Sequence, residues 1–184
     1  QVLADLLHSD IAWLIKDLGP DDAAYLLGVL PEERAKEILS LMREEDSMEV
    51  ADLLKYPKGT AGGIMTTEFL ALSEDAMAQE AIQRLQLATD AEMVFYIYVT
   101  DKDERLVGVL SLRRLLTAPP ATPLKNIATR DVISVTVDMD QEEVARQVAS
   151  YNLLAIPVID NDNRLVGIIT VDEVVDVIRE EATE

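Results

Sequence analysis

Cysteine is absent from the 184 residues, and histidine occurs once, as His8. Without thiols the chain can hold no disulfide framework and no thiolate metal centre, and nothing argues for an oxidising compartment. No nucleophile-and-base pair can be built either, so an enzymatic role is not expected; His8 reads as a surface or packing residue. Aromatic residues make up only 4%. No apolar run approaches the roughly 20 residues that a membrane helix needs, and no basic-then-apolar start reads as a signal peptide. The chain is therefore expected to be soluble and cytosolic.

Basic residues are also scarce. Sixteen lysines and arginines face 35 aspartates and glutamates, for a formal net charge of −19. Such a chain repels nucleic acid and anionic lipid and attracts cations. An acidic surface kept for solubility has the same composition, so position has to decide between the two.

The first stretch, to about Tyr56, reads as short helices. Pro20-Asp21-Asp22 and Pro31-Glu32-Glu33 both look like helix starts, with Pro in the first turn and carboxylates at the positive end of the dipole. Starts repeated at this spacing suggest stacked helices, as in α-solenoids. The segment 56–63, rich in Gly and containing Pro57, breaks the pattern and reads as a boundary and hinge.

Beyond it a tandem repeat appears. Positions 99–108 align with 158–167 at an offset of 59, and seven of the ten residues are identical. Each copy predicts a strand (69–72; 133–137), an amphipathic helix (76–87; 141–151), two strands joined by a polar Asp-containing turn (95–99 with 106–110; 155–159 with 165–169) and a last helix (112–116; 171–179). The fold class is α+β: an N-terminal α-helical superhelix, then two β-α-β-β-α units that pack as a pair.

The last helix carries the densest charge. Val171, Val174, Val175 and Ile178 fall at helical spacing and predict its buried stripe. Asp172, Asp176, Glu180 and Glu184 follow one another at i+4, with Glu173 and Glu181 beside them and Arg179 as the one cation. Like charges at this spacing destabilise a helix by a few tenths of a kcal/mol each. Glu142 and Glu143 repeat the pattern on a smaller scale, and Asp17 and Asp21 stand four apart with Asp22 adjacent. Unneutralised carboxylates at domain faces suit a hard divalent cation; a solvated acidic face remains the alternative reading.

The repeat, with Gly108-Val-Leu-Ser111 and Gly167-Ile-Ile-Thr170 opening the last helix of each copy, resembles a CBS-domain pair. Tyr56-Pro57 followed by Thr60-Ala61-Gly62-Gly63-Ile64-Met65-Thr66, together with Tyr96-Ile97-Tyr98-Val99, Asp140-Gln141-Glu142-Glu143 and the ending from Thr170-Val171-Asp172 to Glu184, is similar to MgtE magnesium transporters. The Pro-Asp-Asp and Pro-Glu-Glu starts resemble that family's N-terminal domain. The resemblance implies an acidic helical domain, truncated at its start, over 1–56, a first CBS domain over 57–120, and a second with the start of a connecting helix over 121–184. It implies a cytosolic Mg²⁺ sensor that compacts on binding Mg²⁺ to close the pore, in a chain that lacks the C-terminal transmembrane domain. It also implies a homodimer through the CBS domains and no nucleic-acid partner.

The family's Mg²⁺-binding positions match Glu142, Glu173, Asp176, Glu181 and Glu184, with Asp17 and Asp21 as the N-domain partners. Asn152 stands where the family has an aspartate, which predicts a weaker site there. Adenine-nucleotide sensing is the alternative function of CBS pairs. Relatives that bind ATP resemble Ser-Leu-Arg-Asp where this chain has Ser111-Leu112-Arg113-Arg114, so weak nucleotide binding at most is expected.

Overall fold

The computed structural model describes residues 8–88 and 95–181. Short helices come first: α1 (His8–Leu14), running into a 3-10 turn (Ile15–Asp17), then α2 (Pro20–Gly28), α3 (Glu32–Leu39) and α4 (Glu44–Leu53). Pro20 sits in the first turn of α2, where a missing N–H costs nothing. Pro31 instead stands one place earlier, as the N-cap of α3, with Glu32 and Glu33 in the first turn. Ile11, Ile15, Leu27, Ile38 and Val50 point inward and are fully buried.

The repeat folds as two copies of one unit. The first contains β1 (Ala71–Ser73), α6 (Ala78–Leu87), β2 (Tyr96–Thr100), β3 (Leu106–Ser111) and α7 (Leu112–Thr117); a single turn, α5 (Ala61–Ile64), precedes it. The second contains β4 (Val135–Thr136), α8 (Gln141–Tyr151), β5 (Ala155–Ile159), β6 (Leu165–Thr170) and α9 (Val171–Glu181). In each, the first strand lies parallel to the second and the second antiparallel to the third. Tyr98 faces Val109 in one sheet and Pro157 faces Ile168 in the other, in the same register.

The residues shared by the two copies have identifiable jobs. Asp101 Oδ1 accepts from the N–H groups of Asp103 (2.8 Å) and Arg105 (3.0 Å). Asp160 Oδ1 does the same for Asp162 (2.8 Å) and Arg164 (2.9 Å). Each side chain thus closes the hairpin that a left-handed residue, Glu104 or Asn163, turns. The glycines explain how the copies interlock. Thr66, leading into the first copy, pairs with Ile168 of the second, while Thr129, leading into the second, pairs with Val109 of the first. A Cβ on Gly167 would meet Met65 Sδ at 2.5 Å and the Thr66 carbonyl oxygen at 3.0 Å. One on Gly108 would meet Ala128 Cβ at 2.9 Å.

Segment 56–63 is not a loose hinge. Its backbone is stitched to the second copy: the Ala61 N–H donates to the Met139 carbonyl (2.7 Å), Gly62 to Val137 (2.8 Å), and Gln141 to the Gly59 carbonyl (2.9 Å). Ala61 and Met65 then join the buried residues of α1–α4 to those of the second copy, Val135, Val144, Val148, Ile156, Ile169 and Val174, in one continuous core. The first copy has its own core around Ile97, Leu110, Leu115 and Leu124. The N-terminal helices therefore sit on the second copy.

The buried stripe of α9 also differs from expectation. Val174 and Val177 are buried, whereas Val175 and Ile178 are exposed at 40% and 49%. Helical spacing fits either pair; packing of α9 against α8 and β6 selects the face that includes Val177.

Candidate metal centre

Two helix starts meet where the N-terminal helices rest on the second copy. Asp21 and Asp22 occupy the first turn of α2, immediately after Pro20. Glu173 lies in the first turn of α9, and Asp176 follows one turn later. Carboxylates favour a helix N-terminus because unpaired N–H groups point at them. That local preference puts acids on both helices, and docking then faces them toward each other.

The result is a cleft of about 540 Å³ lined by Asp21, Asp22, Glu173, Asp176, Lys58 and Gln141, among others. Glu173 is partly buried, and its carboxyl is pushed up to about 7. Loss of hydration is the main cause, followed by the charges of Asp21, Asp172, Asp22 and Asp176. Asp21 is also raised, first by burial; amide hydrogen bonds, the Asp22 charge and the Thr66 hydroxyl then pull in opposing directions. Burial and the four neighbouring acids thus act on Glu173 in the same sense. Arg179 answers part of this charge by donating to Asp176 Oδ1 at 3.2 Å.

Of the seven residues singled out from sequence, the cleft brings together Asp21, Glu173 and Asp176. Asp17 is exposed in the 3-10 turn, outside the residues that line the cleft. Glu142 is exposed on α8, where its charge acts on Arg146. Glu181 ends α9, its side chain outside the description, and Glu184 lies outside the described residues. Asp22 and Lys58 belong to the cleft but not to that set. Asp22 was legible as the neighbour of Asp21, whereas Lys58 sits in the segment taken for a boundary.

Among the described residues, no group of three or more His, Asp or Glu side chains is placed to hold one ion. The all-oxygen donor set nevertheless fits a hard cation that keeps most of its water and takes one or two carboxylates, as Mg²⁺ does. One carboxylate from Asp21 or Asp22 and one from Glu173 or Asp176 would hold it, with water completing its shell.

The sequence profile of the MgtE intracellular N domain matches residues 1–59, and that of the CBS domain matches 61–121 and 124–180. The crystal structure of the soluble part of a magnesium transporter superposes with a TM-score of 0.90 at 40% identity, covering 98% of this chain and 71% of that one. The chain belongs to the MgtE family. A second structure, the cytosolic domain of the Mg²⁺ channel MgtE in complex with ATP, superposes with a TM-score of 0.85 at 38% identity, covering 96% of this chain and 77% of that one. The magnesium transporter MgtE of Thermus thermophilus is 48% identical over 133 residues, 72% of this chain and 30% of that protein. MgtE of Bacillus subtilis is 40% identical over the same length, with the same coverage. The chain thus spans about 30% of these curated relatives. No described helix is long and apolar enough to cross a membrane.

The second ligand class associated with such a pair is a nucleotide, and here Arg114 bears on it. Ser111 caps α7 by accepting from the Arg114 N–H (3.3 Å), and the Arg114 guanidinium donates to Thr129 Oγ1 (3.3 Å). A cation tied to the segment that leads into the second copy therefore stands where ATP-binding relatives resemble an aspartate.

Proposed function

We propose that this chain is the cytosolic Mg²⁺-sensing region of a magnesium channel or transporter, and that its docked form corresponds to the closed pore. The reading rests above all on the convergence of Asp21 and Asp22 with Glu173 and Asp176 across the junction between the N-terminal helices and the second CBS domain. Two carboxylates about 5 Å apart repel by roughly 3 kcal/mol at an effective dielectric near 20. Uncompensated, these acids push the two bodies apart; bound Mg²⁺ supplies the positive charge that lets them approach. Because the ion keeps most of its water, each such site is weak, as suits an abundant ion. The docked population then follows the free ion concentration. Glu142, Glu181, Glu184 and Asp17, which the family resemblance also singles out, would serve further ions.

We further propose a homodimer, supported by Tyr151, Leu154, Val175 and Ile178, which leave an exposed apolar surface around α8 and α9. Small-angle scattering during a Mg²⁺ titration tests the sensing function. Millimolar Mg²⁺ should reduce the radius of gyration, and NaCl at matched ionic strength should not. Equal effects of the two salts would reduce the cleft to a solvated acidic face.

A further inference from the structure

Thr66 is a buried polar residue, and a buried hydroxyl costs stability unless it is hydrogen-bonded. Its Oγ1 accepts from the Glu68 N–H at 3.2 Å, and the hydroxyl donates to the Asp21 carboxylate. The two ends of that second bond belong to different bodies. Thr66 is fixed to the second copy by a reciprocal pair of backbone bonds: its N–H donates to the Ile168 carbonyl at 2.8 Å, and its carbonyl accepts from the Ile168 N–H at 2.9 Å. Ile168 lies in β6, which runs directly into α9 at Val171, two residues before Glu173. Asp21 opens α2 in the N-terminal helices. The hydroxyl therefore holds one cleft carboxylate in the frame that carries the facing one.

The start of α2 is shaped to present that carboxylate. A Cβ on Gly19 would stand 2.7 Å from Asp21 Oδ1, so the glycine leaves room for the side chain to fold back over the helix start. There it accepts from the N–H groups of Asp21 and Asp22 as well as from Thr66. A carboxylate offers about four lone-pair sites. Three donors leave roughly one for a cation, which suits an ion that keeps most of its water. The neighbouring hydroxyl is spent elsewhere: Thr67 donates to Glu49 on α4, outside the residues that line the cleft.

We infer that Thr66 is a positioning residue of the sensor, whose hydroxyl fixes the Asp21 carboxylate against β6 and α9 and so sets the Mg²⁺ concentration at which the N-terminal helices dock. The inference rests on the Mg²⁺-sensing reading and adds a residue that tunes the response. Thr66 does not itself line the cleft, so it acts through Asp21. The donor is neutral, and it orients Asp21 without cancelling the charge that the ion must meet. A hydrogen bond to a charged group is strong enough that its loss should raise the Mg²⁺ concentration at half-compaction by about 10-fold.

The test is a double-mutant cycle on the full chain, read as the midpoint of Mg²⁺-driven compaction by scattering. Thr66→Val exchanges the hydroxyl for a methyl, Thr66→Ser keeps the hydroxyl, and Asp21→Ala removes the acceptor. Thr66→Val should move the midpoint up by about 10-fold, and Thr66→Ser should stay near wild type. In an Asp21→Ala background, where Asp22 remains to meet the ion, Thr66→Val should move the midpoint no further. Circular dichroism checks folding, and Thr66→Ala replaces Thr66→Val if the added methyl disrupts it. If Thr66→Val matches wild type while wild type still compacts with Mg²⁺, the inference fails and the sensing reading stands. An equal shift with and without the Asp21 carboxylate, or with serine as with valine, would make the role of Thr66 packing and overturn the inference. If the Asp21→Ala chain no longer responds, the serine variant alone decides. If wild type shows no Mg²⁺-specific compaction, the sensing reading fails, and the inference with it.

Discussion

Glu173 at the start of α9 and Asp21 at the start of α2 face one cleft, and after burial, the main cause, the charge of Asp21 is the largest of the neighbouring charges that raise the Glu173 carboxyl. Residues 152 apart in sequence are thereby coupled through the docking of two bodies, and whatever moves the bodies changes both groups.

Replacing Glu173 with Ala and Asp176 with Asn removes two of the facing charges. The double variant should be more compact than wild type without Mg²⁺ and should change less on adding it, so that the two ends of the titration converge. Scattering and protease resistance should report the same convergence. An unchanged titration would show that these residues are not the sensor.

Proton binding should act in the same sense as the ion. The Glu173 carboxyl is raised from an ordinary 4.5 to about 7, so the docked state binds the proton more tightly than the separated or unfolded state does. The stability it contributes is complete below about 4.5 and is lost as pH rises through about 7. Asp101 works in the opposite direction: amide hydrogen bonds hold its carboxyl below the ordinary 3.8, so its contribution fades only in stronger acid. Between pH 5 and 8, therefore, falling pH should compact the Mg²⁺-free chain. Glu173→Gln should remove most of that dependence, as comparison of scattering at the two pH values will show.

Arg114 should weaken adenine-nucleotide binding. A carboxylate that accepts from ribose hydroxyls is worth about 1.5–3 kcal/mol, or roughly 10- to 100-fold in affinity. Calorimetry should find ATP and AMP weak with wild type and tighter by about that factor with Arg114→Asp. Micromolar affinity in wild type would mean that Arg114 is no obstacle to nucleotide binding.

Much of the fold was legible because it is written twice. Asp101 and Asp160, Gly108 and Gly167, and the apolar strands beside them recur at an offset of 59, and each pair does one job in both copies. The exchange of lead-in segments, Thr66 onto the second copy and Thr129 onto the first, leaves no periodic trace, since backbone hydrogen bonds made by single bridges impose no residue pattern. For the same reason segment 56–63 read as a hinge, although its amides are tied to Val137 and Met139. At the site, Asp21, Glu173 and Asp176 were legible as unneutralised acids. Lys58 was not, because one lysine beside a glycine carries no pattern until the folded chain brings it to the cleft wall.

The interlock of the copies predicts a graded cost for alanine at the two equivalent glycines. Gly167→Ala places a methyl 3.0 Å from a backbone oxygen and against Met65, which is buried in the core shared with the N-terminal helices. Gly108→Ala meets a side-chain methyl, Ala128 Cβ, at 2.9 Å and the nearest backbone oxygen only at 3.4 Å. Overpacking of this kind costs about 1–3 kcal/mol. Urea unfolding should place Gly167→Ala near the upper end of that range and Gly108→Ala near the lower.

The exposed positions Val175 and Ile178 test the proposed homodimer. Both lie on α9 away from the buried Val174 and Val177, and Tyr151 and Leu154 add exposed apolar surface at the end of α8. A solvated helix face would carry charge at those positions, as α9 does at Asp172 and Asp176. Apolar side chains there gain free energy only when covered, at about 25 cal/mol per Å² removed from water. In the proposed homodimer, a second copy of the same helices would supply a matching surface under two-fold symmetry. Sedimentation should therefore find a dimer with and without Mg²⁺, while Val175→Glu with Ile178→Glu should give a folded monomer. The helical circular dichroism of that variant should be unchanged, because neither residue contributes to the buried core. A wild-type monomer in both conditions would leave the apolar face without this partner and overturn the assembly.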